Sequence, residues 1–347
     1  MRRLPSFVLA LVLAAGCSDA LEETSSAGQV IAVADSLDRT VSFVSAKDFS
    51  VRPVDLRNAT GAPTTLAGRG TTVIVPLGSA DSVTVIRNTG LCSGLCVNPV
   101  VVLPLASGSG ATGVAIQDDS IAWIANPNLN TVTRLNYQTD DTSSVAVGAY
   151  PQAVAIFRTR VFVVNGNLVG GAPAGPSWLS SFDCCAFTTV DSIPLSGANA
   201  VAVVIGDDSL LYVVESGHPG LADGKLSIVD PVGRTELAVL NGLGESPGAA
   251  VFHPSGRLLI ASRAEGILEV YTVTRSVTMG PGAGFKPDGN GVSGLAIDLR
   301  GRVYAVVPGN CTAPGSVHVL TAPPDYSPIR SVAVGVCPVA AAVATTP

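Results

Sequence analysis

The chain has 347 residues, of which 47% are hydrophobic and only 13% are charged. Its formal charge is −6 and it has no cluster of basic residues. This argues against electrostatic binding to nucleic acids or to anionic lipid surfaces. The apolar content excludes a disordered chain, and 37 glycines with 24 prolines favour many short strands joined by turns.

Residues 1–17 have the pattern of a bacterial lipoprotein signal peptide. Two arginines give a basic start, residues 7–13 are apolar, and Ala14–Cys17 (Ala-Ala-Gly-Cys) resembles a lipobox. The resemblance implies that Cys17 is lipidated and becomes the mature N-terminus. The alternative is an ordinary cleaved signal peptide. The apolar stretch is too short to span a membrane, so the lipid alone would form the anchor.

Residues 18–28 are small, polar and acidic, as in a flexible tether between a lipid and a folded domain. Ser18 follows the lipobox cysteine directly. By analogy with proteobacterial lipoproteins, this favours the outer membrane or the cell surface over the inner membrane. We therefore expect an exported lipoprotein of the cell envelope, in which residues 29–347 form the folded domain.

A short fragment recurs seven times in that domain. It consists of Pro or a small residue, any residue, a small residue, an aliphatic residue and usually Ala. The copies are 63–67, 111–115, 151–155, 198–202, 247–251, 292–296 and 338–342. Their start-to-start spacings of 48, 40, 47, 49, 45 and 46 residues are typical of a β-propeller with one copy in each blade.

Each copy is followed by three further segments with the composition of strands. A tight polar turn leads to a second apolar strand, such as 121–126, and a third strand follows after a loop, as at 130–134. A fourth, such as 144–148, completes the repeat. Alternating β-branched and aromatic residues cut by Gly, Asp and Asn are typical of strands and hairpins. The predicted fold is therefore all-β, a seven-bladed β-propeller with four antiparallel strands per blade.

These segments resemble the YVTN-type propeller repeat, which is related to NHL and WD40-like propellers. The matching segments are 123–126 (Trp-Ile-Ala-Asn), 162–165 (Phe-Val-Val-Asn), 130–132, 228–230 and the Val-Gly pairs at 147–148 and 334–335. Blades two, six and seven depart from the pattern, with Pro76, Ser262 and Val307 where Asn would stand. The resemblance covers the whole domain and implies the fold far more than a function.

The two ends of the domain predict how the ring closes. The first strands, 30–34 and 40–44, have the character of second and third strands with no inner strand before them. The last repeat copy, 338–343, is an inner strand with no blade after it. Pairing the two ends completes blade one and leaves no open sheet edge.

Six cysteines remain after Cys17, an even number that permits disulfides in an exported protein. Cys92 and Cys96 are candidates for a local disulfide in one loop. Cys311 and Cys337 lie in loops that emerge on the same face of a propeller, so their bond would hold the ring closed. Cys184 and Cys185 are adjacent, and either a strained vicinal disulfide or two reduced thiols is compatible with the sequence.

Polar residues at or just beyond the ends of the second strands are the candidates for ligand binding, because propellers bind ligands at the mouth of the central channel. They are Asp35, Asn126, Asn165, Glu215 and Arg263, with His218 on a neighbouring loop. Their oxygens would suit a small polar ligand or a hard cation such as Ca²⁺. The alternative is that the Asn and Asp side chains cap their own turns.

The sequence therefore supports two hypotheses about function. The first is a monomeric, non-enzymatic lipoprotein that binds a protein, a glycan or a small polar ligand at the envelope surface and has no resident cofactor. The second is a metal-dependent hydrolase, lactonase or lyase with its site at the channel mouth. No nucleophile motif or phosphate-binding loop favours another enzyme class.

Overall fold

The computed structural model describes residues 28–57, 60–87, 100–187 and 190–346. They form seven four-stranded antiparallel sheets that follow one another around a ring, as the repeat predicts. Within these ranges the only helical element is one 3-10 turn at Pro287–Gly289. None of the described segments is a helix with the length and apolar character needed to cross a membrane.

The inner and second strands build the centre of each blade. From blade one to blade seven, the inner strands are Pro338–Thr345, Ala67–Arg69, Val114–Ile116, Pro151–Phe157, Ala200–Ile205, Pro247–His253 and Gly294–Ile297. In the same order, the second strands are Gln29–Asp35, Thr72–Pro76, Ile121–Asn126, Arg160–Asn165, Leu211–Glu215, Arg257–Ser262 and Val303–Val307. Each inner strand contacts the inner strands of the two neighbouring blades, so the ring is complete.

The third and outer strands complete the blades on the side away from the axis. The third strands are Thr40–Ser45, Ser82–Arg87, Thr131–Asn136, Pro176–Asp183, Lys225–Asp230, Gly266–Tyr271 and Pro314–Leu320. The outer strands are Val51–Asp55, Val100–Pro104, Thr142–Ala146, Asp191–Ala198, Thr235–Asn241, Ser276–Met279 and Pro328–Val336. A small extra hairpin, Leu168–Val169 with Ala172–Pro173, lies between the second and third strands of blade four.

The ring has two distinct faces. We call the loop face the one that carries the connections between second and third strands and between successive blades. The turn face carries the connections from inner to second strands and from third to outer strands. The first described residue, Gly28, precedes the start of a second strand and therefore lies on the turn face.

Ring closure by the last strand is confirmed. Pro338–Thr345 pairs antiparallel with Gln29–Asp35, with Val30 opposite Ala344 and Ala32 opposite Ala342. Every residue of Gln29–Asp35 is buried, because the closing strand covers one edge and Thr40–Ser45 covers the other. The N-terminal strand thus becomes an interior strand only through a segment about 300 residues later in the chain.

Close packing at the axis explains the small residues of the inner strands. A Cβ on Gly294 would lie 2.9 Å from the Cα of Ala340, and one on Gly113 would lie 2.3 Å from the Gln152 carbonyl oxygen. Both neighbours belong to the next blade, so a larger side chain would push the blades apart. Farther out, seven apolar clusters fill the spaces between neighbouring blades.

The repeat copy assigned to blade five is two residues out of register. Ala200 pairs with Glu215 as Pro151 pairs with Asn165, so the structural copy is 200–204 and not 198–202. Ala198 still belongs to the outer strand of blade four, and Asn199 turns the chain between blades with a φ of 52°. The Ala-rich sequence fits both registers. Only the register that begins at Ala200 leaves Ala198 free to end the outer strand of blade four.

The predicted Cys311–Cys337 disulfide is present, joining the second-to-third-strand loop of blade seven to the residue before the closing strand. The bond spans 26 residues.

Removal of the disulfide in a Cys311→Ser/Cys337→Ser variant should lower the free energy of unfolding by about 3 kcal/mol, because the unfolded chain gains entropy. Urea unfolding measures this, with Cys185→Ser as the control. An unchanged midpoint would contradict it. The candidates Cys92 and Cys96 lie outside the described residues.

Candidate functional site

Four of the predicted ligand residues lie inside the blades and do not line the channel. Asp35, Asn126, Asn165 and Glu215 do end the second strands, but all four side chains are fully buried inside the blades. The Asn126 Nδ2 donates to Thr133 Oγ1 at 2.8 Å, and the other three side chains also bond to the third strand of their own blade. A second strand is one strand removed from the axis, so its end faces neighbouring protein and not the channel.

Two of these buried positions carry carboxyl groups where blades three and four carry amides. Ser42 Oγ donates to Asp35 Oδ2 at 2.7 Å, and the backbone N–H of Gly197 donates to Glu215 Oε1 at 3.0 Å. Burial is the main cause that raises the pKa of Asp35 to about 6 and that of Glu215 to about 7. Both carboxyl groups are fully buried and hydrogen-bonded inside the blades, so neither faces an open site for a hard cation.

A short hydrogen-bond chain gives the neutral form of Glu215 a partner. Ser227 Oγ lies 3.0 Å from Glu215 Oε2 and 2.6 Å from Glu236 Oε1, yet a hydroxyl group has a single proton to donate. When Glu215 is protonated it donates to Ser227, which then donates to Glu236. The nearby negative charge of Glu236 also raises the pKa of Glu215.

Glycines of the preceding blade make room for both carboxyl side chains. A Cβ on Gly335 would lie 2.6 Å from Asp35 Cγ, and one on Gly197 would lie 2.0 Å from Glu215 Oε2. We call the pairs Gly335–Asp35 and Gly197–Glu215 the inter-blade clasps. They explain the Val-Gly ending at 334–335, since the outer strand must approach the next blade closely there.

The two remaining candidates, His218 and Arg263, are exposed on the loop face. His218 Nδ1 lies 2.7 Å from Asp223 Oδ2, and the His218 backbone N–H donates to Asp223 Oδ1 at 2.9 Å. Gly217 permits this arrangement, because a Cβ there would lie 2.0 Å from Asp223 Oδ1 and its φ is 74°. The His218–Asp223 pair organises its own loop, and neither His218 nor Arg263 lines the channel.

The central channel is a cavity of about 440 Å³ lined by the inner strands. Four polar side chains stand at the second position of the repeat, near its loop-face end: Thr64, Thr112, Gln152 and Ser293. Each lies within hydrogen-bond distance of the first-position carbonyl oxygen of the next blade, at 3.1, 3.5, 2.9 and 2.8 Å respectively. These four residues escaped the sequence prediction, although polar residues at one fixed position of a repeat were a usable signal.

The chemistry available in the channel is that of an uncharged surface. None of the described residues that line it is ionisable; they are aliphatic residues, glycines, threonines, one serine and one glutamine. Hydroxyl, amide and carbonyl groups can bind a neutral polar ligand, and the volume suits a small molecule. The described wall offers neither a general base nor a carboxylate for a metal ion.

The loop face exposes single apolar side chains in the loops between second and third strands. Val169, at the tip of the extra hairpin of blade four, is 71% exposed, and Leu221 in blade five is 53% exposed. Leu37 and Leu129 are exposed in the corresponding loops of blades one and three. Single exposed apolar side chains also stand on the turn face, at Val232 and Val273, so the polar positions at the channel mouth, and not apolar exposure alone, distinguish the loop face.

The fold and site together define a seven-bladed β-propeller with an uncharged central channel. The chain matches no family model, and no curated protein has a closely similar sequence. Among solved structures it is similar to a functionally unknown protein from Desulfotomaculum acetoxidans, with a TM-score of 0.66, 13% identity, and coverage of 92% of this chain and 99% of that one.

Two further solved structures share the fold. Hydrazine synthase of Kuenenia stuttgartiensis has a TM-score of 0.63 at 14% identity, covering 82% of this chain and 90% of that one. A catalytically inactive virginiamycin B lyase from Staphylococcus aureus, solved with quinupristin, has a TM-score of 0.62 at 13% identity, covering 82% and 93%. At these identities the likeness establishes the propeller architecture and does not assign an activity.

Proposed function

We propose that the chain is a YVTN-type propeller lipoprotein that binds a protein or glycan partner through its loop face. The observation that carries the proposal is an uncharged channel mouth with four polar repeat positions, on a face that also exposes Val169 and Leu221 in the loops of blades four and five. A partner surface rich in hydroxyl, amide and apolar groups fits this chemistry, whereas a strongly charged partner does not.

The direction in which the chain enters the ring supports this role. The tether reaches the propeller through Gly28, on the turn face. If Cys17 carries the lipid, the anchored segment joins the ring on the turn face and leaves the loop face unobstructed. The face with the exposed loops would then be the one that a partner can approach.

Paired surface variants test this proposal. Val169→Asp/Leu221→Asp should reduce binding to solubilised envelope proteins or purified envelope glycans of the producing bacterium by about tenfold or more, as expected for an interface centre. The matched control is Val232→Asp/Val273→Asp on the turn face, where Val273 is 75% exposed. Binding that only the control variant loses, or that both lose equally, would refute the loop-face assignment.

The second hypothesis, a metal-dependent hydrolase, lactonase or lyase, would need metal ligands other than the four buried side chains. We therefore expect Ca²⁺, Mg²⁺ and Mn²⁺ to leave the melting temperature unchanged, before and after EDTA treatment. A thermal-shift screen measures this directly. A large shift that disappears in Glu215→Ala would favour the enzyme, and Asp207→Asn on an exposed turn provides the control.

A further inference from the structure

Three potential metal ligands meet where the third strand of blade four ends, on the turn face. Cys184 is buried and Cys185 is exposed, and their Sγ atoms lie 3.3 Å apart without a bond between them. With the carboxylate of Asp183 they form a set whose ligand atoms all lie within 4.8 Å of one another. It is the one such group of three or more acidic, histidine or cysteine side chains among the described residues.

The surroundings hold this set in place on its inner side. The Cys185 backbone N–H donates to Asp183 Oδ1 at 2.9 Å, which fixes the carboxylate and leaves Oδ2 available. Trp123 lies edge-on to the rings of Phe182 and Phe187, with centroid distances of 5.4 and 5.8 Å. Cys184 packs in the same apolar cluster as Trp123 and Phe182, whereas Cys185 is exposed to solvent. Among the described residues, no basic side chain is hydrogen-bonded to either thiol.

A disulfide between these cysteines is disfavoured by the backbone. Consecutive Cα atoms lie about 3.8 Å apart across a trans peptide, below the usual lower limit of about 4.4 Å for a disulfide. Cys311 and Cys337, which are bonded, have a Cα–Cα distance of 4.4 Å.

We propose that Asp183, Cys184 and Cys185 bind a thiophilic divalent metal ion of the Zn²⁺ or Cd²⁺ type. Two thiolates with one carboxylate are a ligand set that such ions accept, and water can fill a fourth position on the exposed side. Binding forms two metal–sulfur bonds and one metal–oxygen bond, and both thiol protons pass to solvent. No oxidant or reductant is required, since neither sulfur nor metal changes its oxidation state.

Cadmium titration of the full-length, reduced and metal-free chain tests the proposal through the ultraviolet charge-transfer band of cadmium thiolates. One equivalent should bind, and the band should disappear in Cys184→Ser/Cys185→Ser. The single variant Cys185→Ser, at the exposed position, should weaken binding at least about tenfold without loss of folding. Loss of a residue that only hydrogen-bonds to a metal ligand already lowers metal affinity about 10- to 100-fold.

Controls separate this site from the other cysteines and from general acidity. Cys92→Ser/Cys96→Ser and Cys311→Ser/Cys337→Ser should each keep the one-equivalent band. Asp183→Asn should weaken binding about tenfold, whereas Asp207→Asn, on an exposed turn of blade five, should not. The proposal is overturned if the Cys184→Ser/Cys185→Ser variant binds Cd²⁺ as the parent chain does. It is equally overturned if mass spectrometry of protein purified without air shows a Cys184–Cys185 disulfide.

Discussion

Deletion of residues 338–347 should abolish cooperative unfolding of the domain. The deletion uncovers the edge of Gln29–Asp35, whose residues are all buried, and removes Ala340 and Ala344 from the cluster between blades one and two. The loss of a whole inner strand should exceed the roughly 5–15 kcal/mol by which a domain is usually stable. Because the uncovered edge of Gln29–Asp35 is then open to pairing with another chain, the truncated chain should also aggregate.

Circular dichroism during thermal unfolding measures this effect. The matched control is deletion of residues 346–347 alone, which leaves the closing strand Pro338–Thr345 intact. We expect the control to melt near the temperature of the parent chain. A truncation at residue 337 that kept the parent melting temperature would show that the ring does not depend on its last strand.

The buried carboxyl groups of the inter-blade clasps should make the domain less stable as the pH rises. Well below pH 3.8 both groups are protonated in the folded and the unfolded chain and contribute no difference in stability. The pKa of Glu215 is 4.5 in the unfolded chain and about 7 in the folded one. Between these two pH values Glu215 ionises only in the unfolded chain, so the free energy of unfolding falls as the pH rises. Asp35 lowers the stability in the same way between pH 3.8 and pH about 6, its pKa values in the unfolded and the folded chain. At pH 8 each group costs on the order of 3 kcal/mol.

Amide substitutions should remove this cost. Glu215→Gln and Asp35→Asn place in blades five and one the kind of side chain that blades three and four already carry, as Asn126 and Asn165. Each should stabilise the domain by about 3 kcal/mol at pH 8 and by little at pH 4. The two effects should add to about 6 kcal/mol, because the sites lie in separate blades.

Urea unfolding at pH 4, 6 and 8 tests these variants, with Asp207→Asn as a control that should show no comparable gain. An equal change in stability at pH 4 and pH 8 would mean that packing, and not ionisation, decides the outcome. Destabilisation of Glu215→Gln at pH 8 would show that the ionised carboxylate is the form that the Gly197–Glu215 clasp needs.

Sequence periodicity was sufficient to predict the architecture, because each blade repeats the same order of strand and turn residues. The unpaired first strands and the surplus last copy predicted how the ring closes. They also led to the Cys311–Cys337 bond, since both cysteines lie on the loop face. Only the inner strand of blade five was misplaced, where Ala198 and Ala200 fit the repeat equally well.

The site was harder to predict, for a physical reason. A polar residue at the end of a strand can face a channel, its own turn or the next blade, and the strand pattern is the same in each case. The glycines at 197 and 335 were the informative signal, since a missing side chain leaves space for a neighbour's carboxyl group. The fixed repeat position could have located Thr112 and Gln152, but it could not reveal their hydrogen-bond partners, because backbone carbonyl oxygens of another blade have no signature in sequence.

Amide hydrogen exchange of the intact chain tests ring closure most directly. Segment 338–345 should exchange as slowly as segment 29–35, because the hydrogen bonds between these two strands open only when the ring opens. Reduction of Cys311–Cys337 should speed the exchange of both segments together. Rapid exchange of 338–345 beside a protected 29–35 would contradict a propeller that its own C-terminal strand holds closed.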